Sequence, residues 1–232
     1  MSLMMMPVAV APAVAAVRVV AIAASLGLWY WTQSLLGRRR IESNGDDAPI
    51  CDGIHRMTAR INRRLNDQPR RADALLIASS LVIDLLGAYL LVFAILGPTI
   101  EPFLGLLILF ALRQFCQAFC PLPAPAGMIW RDPGFPTVLV TYGTSSDLFF
   151  SGHTAIAVYG AATLAASLGP PGVAIGTAIA LFEIAAVLLL RAHYTIDVFT
   201  GAIAALYVHR LAIDLAPAVD AWLRHAAVVA AR

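Results

Sequence analysis

Apolar residues run along this chain in six blocks, covering 13–36, 72–96, 100–119, 151–168, 172–190 and 194–216. Each approaches the roughly 20 residues an α-helix needs to cross a hydrocarbon layer about 30 Å thick. The pattern therefore predicts an all-α integral membrane protein, a six-transmembrane-helix bundle. Leu96-Gly-Pro-Thr99 and Gly169-Pro-Pro-Gly172 are tight turns that make antiparallel hairpins of the blocks they join. Residues 37–71 are polar, with nine arginines and five acids. Within them Ile54, Met57, Ile61 and Leu65 recur at helical spacing, which predicts an amphipathic surface helix over 52–66. Residues 120–150 contain Pro121, Pro123, Pro125, Pro133 and Pro136, too many for regular helix, and predict a stiff, shaped lid. No internal repeat is visible, and residues 1–232 read as a single membrane domain.

Composition agrees with the pattern. The chain is 60% hydrophobic and 13% charged, with mean hydropathy +0.79, whereas soluble domains carry about 25% charge. A net charge of +2 leaves no broad basic field, so nucleic acid is not an expected partner. All sixteen basic residues are arginine. Cys51, Cys116 and Cys120 have no neighbouring ligands that complete a zinc set, and neither metal nor cofactor is expected. Residues 1–17 are apolar but lack a basic leader, and read as the approach to the first membrane helix. Trp29, Tyr30 and Trp31 form an interfacial aromatic belt at the end of that helix. Nothing in the sequence indicates an oligomer.

Charged groups inside the apolar blocks carry the chemistry. Following the chain through six crossings puts the arginine segment, the Pro-rich loop, His153 and His193 on one face. There His193 and Asp197 are four residues apart, a spacing that aligns two side chains on a helix. A carboxylate holding one ring nitrogen fixes the tautomer and leaves the other as a nucleophile. Ser151-Gly-His-Thr opens another helix: Ser151 is a good N-cap, and free N–H groups at a helix start suit phosphate. Gly152 lets the backbone approach a ligand, and His153 would serve as acid and base. Arg113 and Arg191 are candidate phosphate clamps. Asp147 is placed to orient a histidine or to receive the positive end of a headgroup. Arg18, Asp84 and Glu183 lie within spans, where ionisable groups serve function or pair internally. The substrate class these features suggest is a lipid phosphate.

Three blocks resemble the sphingomyelin synthase group within the lipid phosphate phosphatase superfamily. They are Arg113-Gln-Phe-Cys-Gln-Ala-Phe-Cys-Pro-Leu-Pro-Ala-Pro-Ala-Gly-Met128, Asp147-Leu-Phe-Phe-Ser-Gly-His-Thr154 and His193-Tyr-Thr-Ile-Asp-Val198. The resemblance implies a metal-independent phosphotransferase. It would move phosphocholine or phosphoethanolamine from a phospholipid donor to a lipid-alcohol acceptor such as ceramide, through a phosphohistidine at His193. Val187 stands where simple phosphatases carry an arginine, which favours the synthase branch. Two alternatives use the same chain differently. A hydrolase would hand the intermediate to water, and a non-enzymatic transporter would use Asp84 and Glu183. A bacterial inner membrane is the expected location. The arginine distribution places the active face in the cytoplasm, while the resemblance implies the exoplasmic side.

Overall fold

The computed structural model describes residues 10–37, 50–120, 122–140, 142 and 148–230. Among these, eight helices follow in order: α1 (Pro12–Gly37), α2 (Gly53–Met57), α3 (Ala59–Asp67), α4 (Pro69–Leu96), α5 (Glu101–Phe119), α6 (Gly152–Leu168), α7 (Pro170–Leu189) and α8 (Thr195–Ala230). The boundaries follow local chemistry. Proline occupies the first turn of α4, α5 and α7, where its missing N–H costs nothing. Asp52 and Ser151 cap α2 and α6 by accepting from the backbone N–H of His55 and Thr154. Gly169, at φ +64°, turns the chain between α6 and α7 in a conformation that favours glycine.

Five helices, α1, α4, α5, α7 and α8, are long and apolar enough to cross a membrane. The expected sixth span, α6, has 17 residues, about 26 Å of helix, at the lower end of the roughly 17–25 residues that cross a bilayer. α8 continues well past its expected end at 216, through Pro217, to Ala230. The surface helix is broken at Thr58 into α2 and α3.

Small residues let the helices approach closely. A Cβ at Gly176 would sit 2.7 Å from the Ala161 backbone, which seats α7 on α6. A Cβ at Gly160 would strike Leu86 of α4, and one at Gly105 would strike the Tyr159 ring. Such contacts are how membrane helices gain packing where no hydrophobic drive separates protein from lipid.

The charged groups within spans are paired. Arg18 donates to Asp220 at 2.7 Å and to the carbonyls of Ala94 and Gly97 at 3.1 and 2.8 Å. It thus ties α1, the end of α4 and α8 together. Neither Asp84 nor Glu183 is its partner. Glu183, fully buried on α7, accepts from Ser79 of α4 at 2.6 Å. Asp84 accepts from the N–H groups of Val138 and Leu139, both at 2.9 Å. The Pro-rich segment therefore dips down to the middle of α4, and its exposed amides are satisfied there rather than by water.

Arg18 and Asp220 are both nearly inaccessible. Removing one partner of such a pair strands the other charge, at a cost of about 3–5 kcal/mol. Arg18→Met alone is expected to lower unfolding stability in detergent by that order. The double variant Arg18→Met/Asp220→Leu is expected to recover most of the loss. Additive losses in the four-variant cycle would contradict the coupling.

Candidate active site at one end of the bundle

The ends of α5 and α7 and the starts of α6 and α8 meet around one cavity. Its lining includes Trp29, Arg113, Trp130, Gly152, His153 and His193. The convergence is fixed by backbone bonds: Ser151 N–H donates to Asp197 O at 3.1 Å, and Ile129 N–H to Leu190 O at 2.7 Å. The two histidines expected on one face are thus brought together.

His193 lies in the turn between α7 and α8, ahead of the first helical residue. Its Nδ1 is 2.8 Å from the Leu148 carbonyl oxygen. A carbonyl only accepts, so Nδ1 carries the proton and Nε2 keeps a free lone pair. This corrects the expected direct grip by Asp197, whose Oδ2 stands 3.8 Å from Nδ1. That oxygen instead accepts from the Tyr194 N–H at 2.8 Å. The carboxylate reaches back over the first turn of α8, as an acid at the third helical position does. Asp197 is fully buried, and its Oδ1 has no hydrogen-bond partner. It stands beside the imidazole without a direct hydrogen bond to it.

His153 is buried at the start of α6, and its Nε2 has no hydrogen-bond partner. Trp130 meets it edge to face, with centroids 5.3 Å apart. Ser151 is fully buried and caps α6 as expected. A Cβ at Gly152 would lie 3.2 Å from Arg113 Nε, so glycine admits the guanidinium there. Arg113 Nε donates to Phe150 O at 2.9 Å, and the side chain lines the cavity. Asp147 lies outside the described residues. Among the described residues no three His, Cys, Asp or Glu side chains group as a metal site requires.

Arg191, the other expected clamp, points elsewhere. At φ +52° it holds a conformation unusual for a non-glycine residue. Its guanidinium donates to His55 O at 3.1 Å and to Ala126 O. It pins the turn instead of lining the cavity.

α2 and α3 supply the residues that sequence reasoning missed. Asp52 accepts from the Thr195 N–H at 2.6 Å and from its hydroxyl at 2.8 Å. His55 Nε2 donates to the His193 carbonyl at 3.0 Å. Asn62 donates to Gly127 O and Leu189 O at 3.1 and 2.9 Å. The inward face of this segment is therefore polar, while Met57 and Ile61 are 81% and 47% exposed and available to the membrane surface. The signal was present: His55 and Asn62 are seven residues apart, a spacing that shares a face on the continuous helix the sequence predicts. Reading only the apolar stripe concealed it.

A family model described as AtPDCT1/2, phosphatidylcholine:diacylglycerol cholinephosphotransferase, matches residues 51–214. The chain belongs to this cholinephosphotransferase family. The match begins one residue before Asp52, so it takes in the clasp formed by Asp52, His55 and Asn62 as well as both histidines. No curated protein and no solved structure matches the chain. Membership corrects the sphingomyelin synthase and lipid phosphatase resemblance, and ceramide leaves the picture with it. The cholinephosphotransferase family is eukaryotic, which gives the expected bacterial inner membrane no support. The chain is a multi-pass membrane protein.

Burial pushes the Asp52 carboxyl up, but hydrogen bonds from the Thr195 N–H, the His55 N–H and the Thr195 hydroxyl together hold it below its ordinary 3.8. A lowered folded value means that the clasp contributes fully above 3.8 and is lost as pH falls through the folded value. Asp52→Asn is expected to lower thermal stability at neutral pH and to flatten the acid limb of its pH profile. An acid limb identical to that of the parent protein would contradict this. Asn62→Ala removes the side-chain donor to Leu189 O and leaves Gly127 O only the longer bond from Asn66, 3.4 Å, and is expected to cost about 1–3 kcal/mol. It should lower kcat more than it raises KM.

Proposed function

We propose that this protein exchanges phosphocholine between phosphatidylcholine and diacylglycerol, with His193 as nucleophile and His153 as proton carrier. The observation that carries the reading is the meeting of His153, His193 and Arg113 in one cavity, in a chain of the cholinephosphotransferase family.

The steps start from a His193 ring with its proton on Nδ1 and Nε2 free. His193 Nε2 attacks the phosphorus of the donor lipid. An N–P bond forms, and the P–O bond to the glycerol oxygen breaks. His153 delivers a proton to that oxygen, releasing diacylglycerol and leaving a phosphocholine-histidine. A second diacylglycerol gives its hydroxyl proton to His153, its oxygen attacks phosphorus, and the N–P bond breaks. Charge growing on the phosphoryl oxygens is met by Arg113 and the first N–H groups of α6. The second half repeats the first in reverse, so one proton carrier serves both.

The cavity wall favours choline over a primary amine. Trp29 and Trp130 line it, and its described lining contains no carboxylate. Aromatic faces suit a quaternary ammonium, which has no N–H to donate.

Headgroup exchange between like lipids is read with labelled diacylglycerol. Incubated with unlabelled phosphatidylcholine, the purified protein is expected to move the label into phosphatidylcholine. His193→Ala should lower that rate by about 10³-fold or more. Undiminished turnover by this variant would sink the mechanism, and release of free phosphocholine in place of exchange would make the enzyme a hydrolase. Trp130→Ala is expected to raise KM for the choline lipid about tenfold, more than for the ethanolamine lipid. Equal changes for both donors would remove Trp130 from headgroup recognition.

A further inference from the structure

Beside the catalytic cavity lies a second, apolar pocket between α1, α4 and α5. The two share Trp29, Phe110 and Leu139 as a common wall. Trp29 and Phe110 stack there, with centroids 5.1 Å apart. Leu139 belongs to the segment that Asp84 holds. It fits because α4 has a glycine opposite: a Cβ at Gly87 would stand 2.1 Å from Leu139 Cδ1.

The pocket is polarised. At the end nearest the catalytic site, Gln114 donates to the Thr32 hydroxyl at 2.7 Å. Gln114 follows Arg113 directly, so successive residues of α5 serve the groove and the cavity. From Gln114 the lining descends α5 to Phe103 through Phe110 and Leu106, and among the described residues none that lines it is charged. Eleven residues of helix rise about 16 Å, close to half of the ~30 Å hydrocarbon core.

We propose that this groove binds one acyl chain of the lipid whose headgroup occupies the cavity at His153 and His193. The inference rests on the lipid-exchange reading. It adds a tail site and makes Leu139 the divider between headgroup and tail. Continuity with the cavity, polarity that falls with depth, and a length of one leaflet all describe a lipid chain lying beside its own headgroup. The donor and acceptor of the exchange carry the same diacylglycerol body, so one groove accommodates each in turn.

Leu107 lines the groove about 10 Å below Gln114. Leu107→Trp fills its depth and leaves the headgroup end open. With dioleoyl phosphatidylcholine, the variant is expected to lose about tenfold in kcat/KM, because buried methylenes of the chain lose their contacts. With dihexanoyl phosphatidylcholine, whose chains are too short to reach along the groove, it should match the unaltered protein. Equal loss on both lipids, or loss on neither, would overturn the proposal. A second measurement does not depend on the variant. Phosphatidylcholine with a photoreactive group at the chain end should label residues 103–114 of the unaltered protein, and labelling confined to α7 would overturn the tail site. If the unaltered protein exchanges no headgroup yet labels at 103–114, the exchange reading fails and the tail site stands.

Discussion

Backbone that is not helical, at the end of a membrane bundle, must find hydrogen-bond partners within the protein. That constraint organises the catalytic end. Between α7 and α8 the carbonyls of Leu189, Leu190 and His193 receive bonds from Asn62, Ile129 and His55. Ahead of α6, the carbonyls of Leu148 and Phe150 receive them from His193 and Arg113. Two of these donors, His193 and Arg113, are themselves candidate site residues. The bonds that satisfy the backbone are thus the bonds that aim the side chains. A change in the loop before α6 moves the imidazole, and loss of a clasp residue moves the loop.

The two ends of the molecule solve the same problem differently. Opposite the site, one arginine gathers Asp220 and the carbonyls around the end of α4. Helix ends there are closed off, and three helices are fixed in place. At the catalytic end the partners are spread over α2, α3, α5 and the Pro-rich segment, and a cavity remains. His153 Nε2 and Asp197 Oδ1 are left there without partners. Unsatisfied polar atoms cost stability, and here they sit where a phosphate and its leaving group would supply or demand protons. The rigid end fixes the helices on which the unsatisfied end depends.

The helices were legible because length and hydropathy leave little choice: five spans lie where the apolar blocks put them. Counting crossings also placed both histidines on one face. What the sequence did not reveal is where a side chain reaches after the backbone turns. Four-residue spacing implied that Asp197 holds His193, but His193 precedes the helix, and the carbonyl of Leu148 takes the ring proton instead. Arg191 looked like a phosphate clamp, yet a left-handed turn directs it to the carbonyls of His55 and Ala126. Asp52, His55 and Asn62 were hidden because their partners, the N–H and hydroxyl of Thr195 and the carbonyls of His193, Gly127 and Leu189, lie far away along the chain.

The family assignment and the geometry meet in the symmetry of the proposed reaction. When leaving group and acceptor are the same kind of molecule, neither half-reaction needs water. A site for that chemistry gains from excluding it, because water would intercept the phosphohistidine. The buried imidazoles, the aromatic wall and the segment pinned by Asp84 all work toward exclusion. Leu139 belongs to both purposes: it seals the cavity on one side and forms the wall of the groove on the other. A residue that closes the headgroup chamber only against the tail of the bound lipid would couple protection of the intermediate to the presence of a lipid. That coupling would let the same histidine pair that could serve a hydrolase act as a transferase.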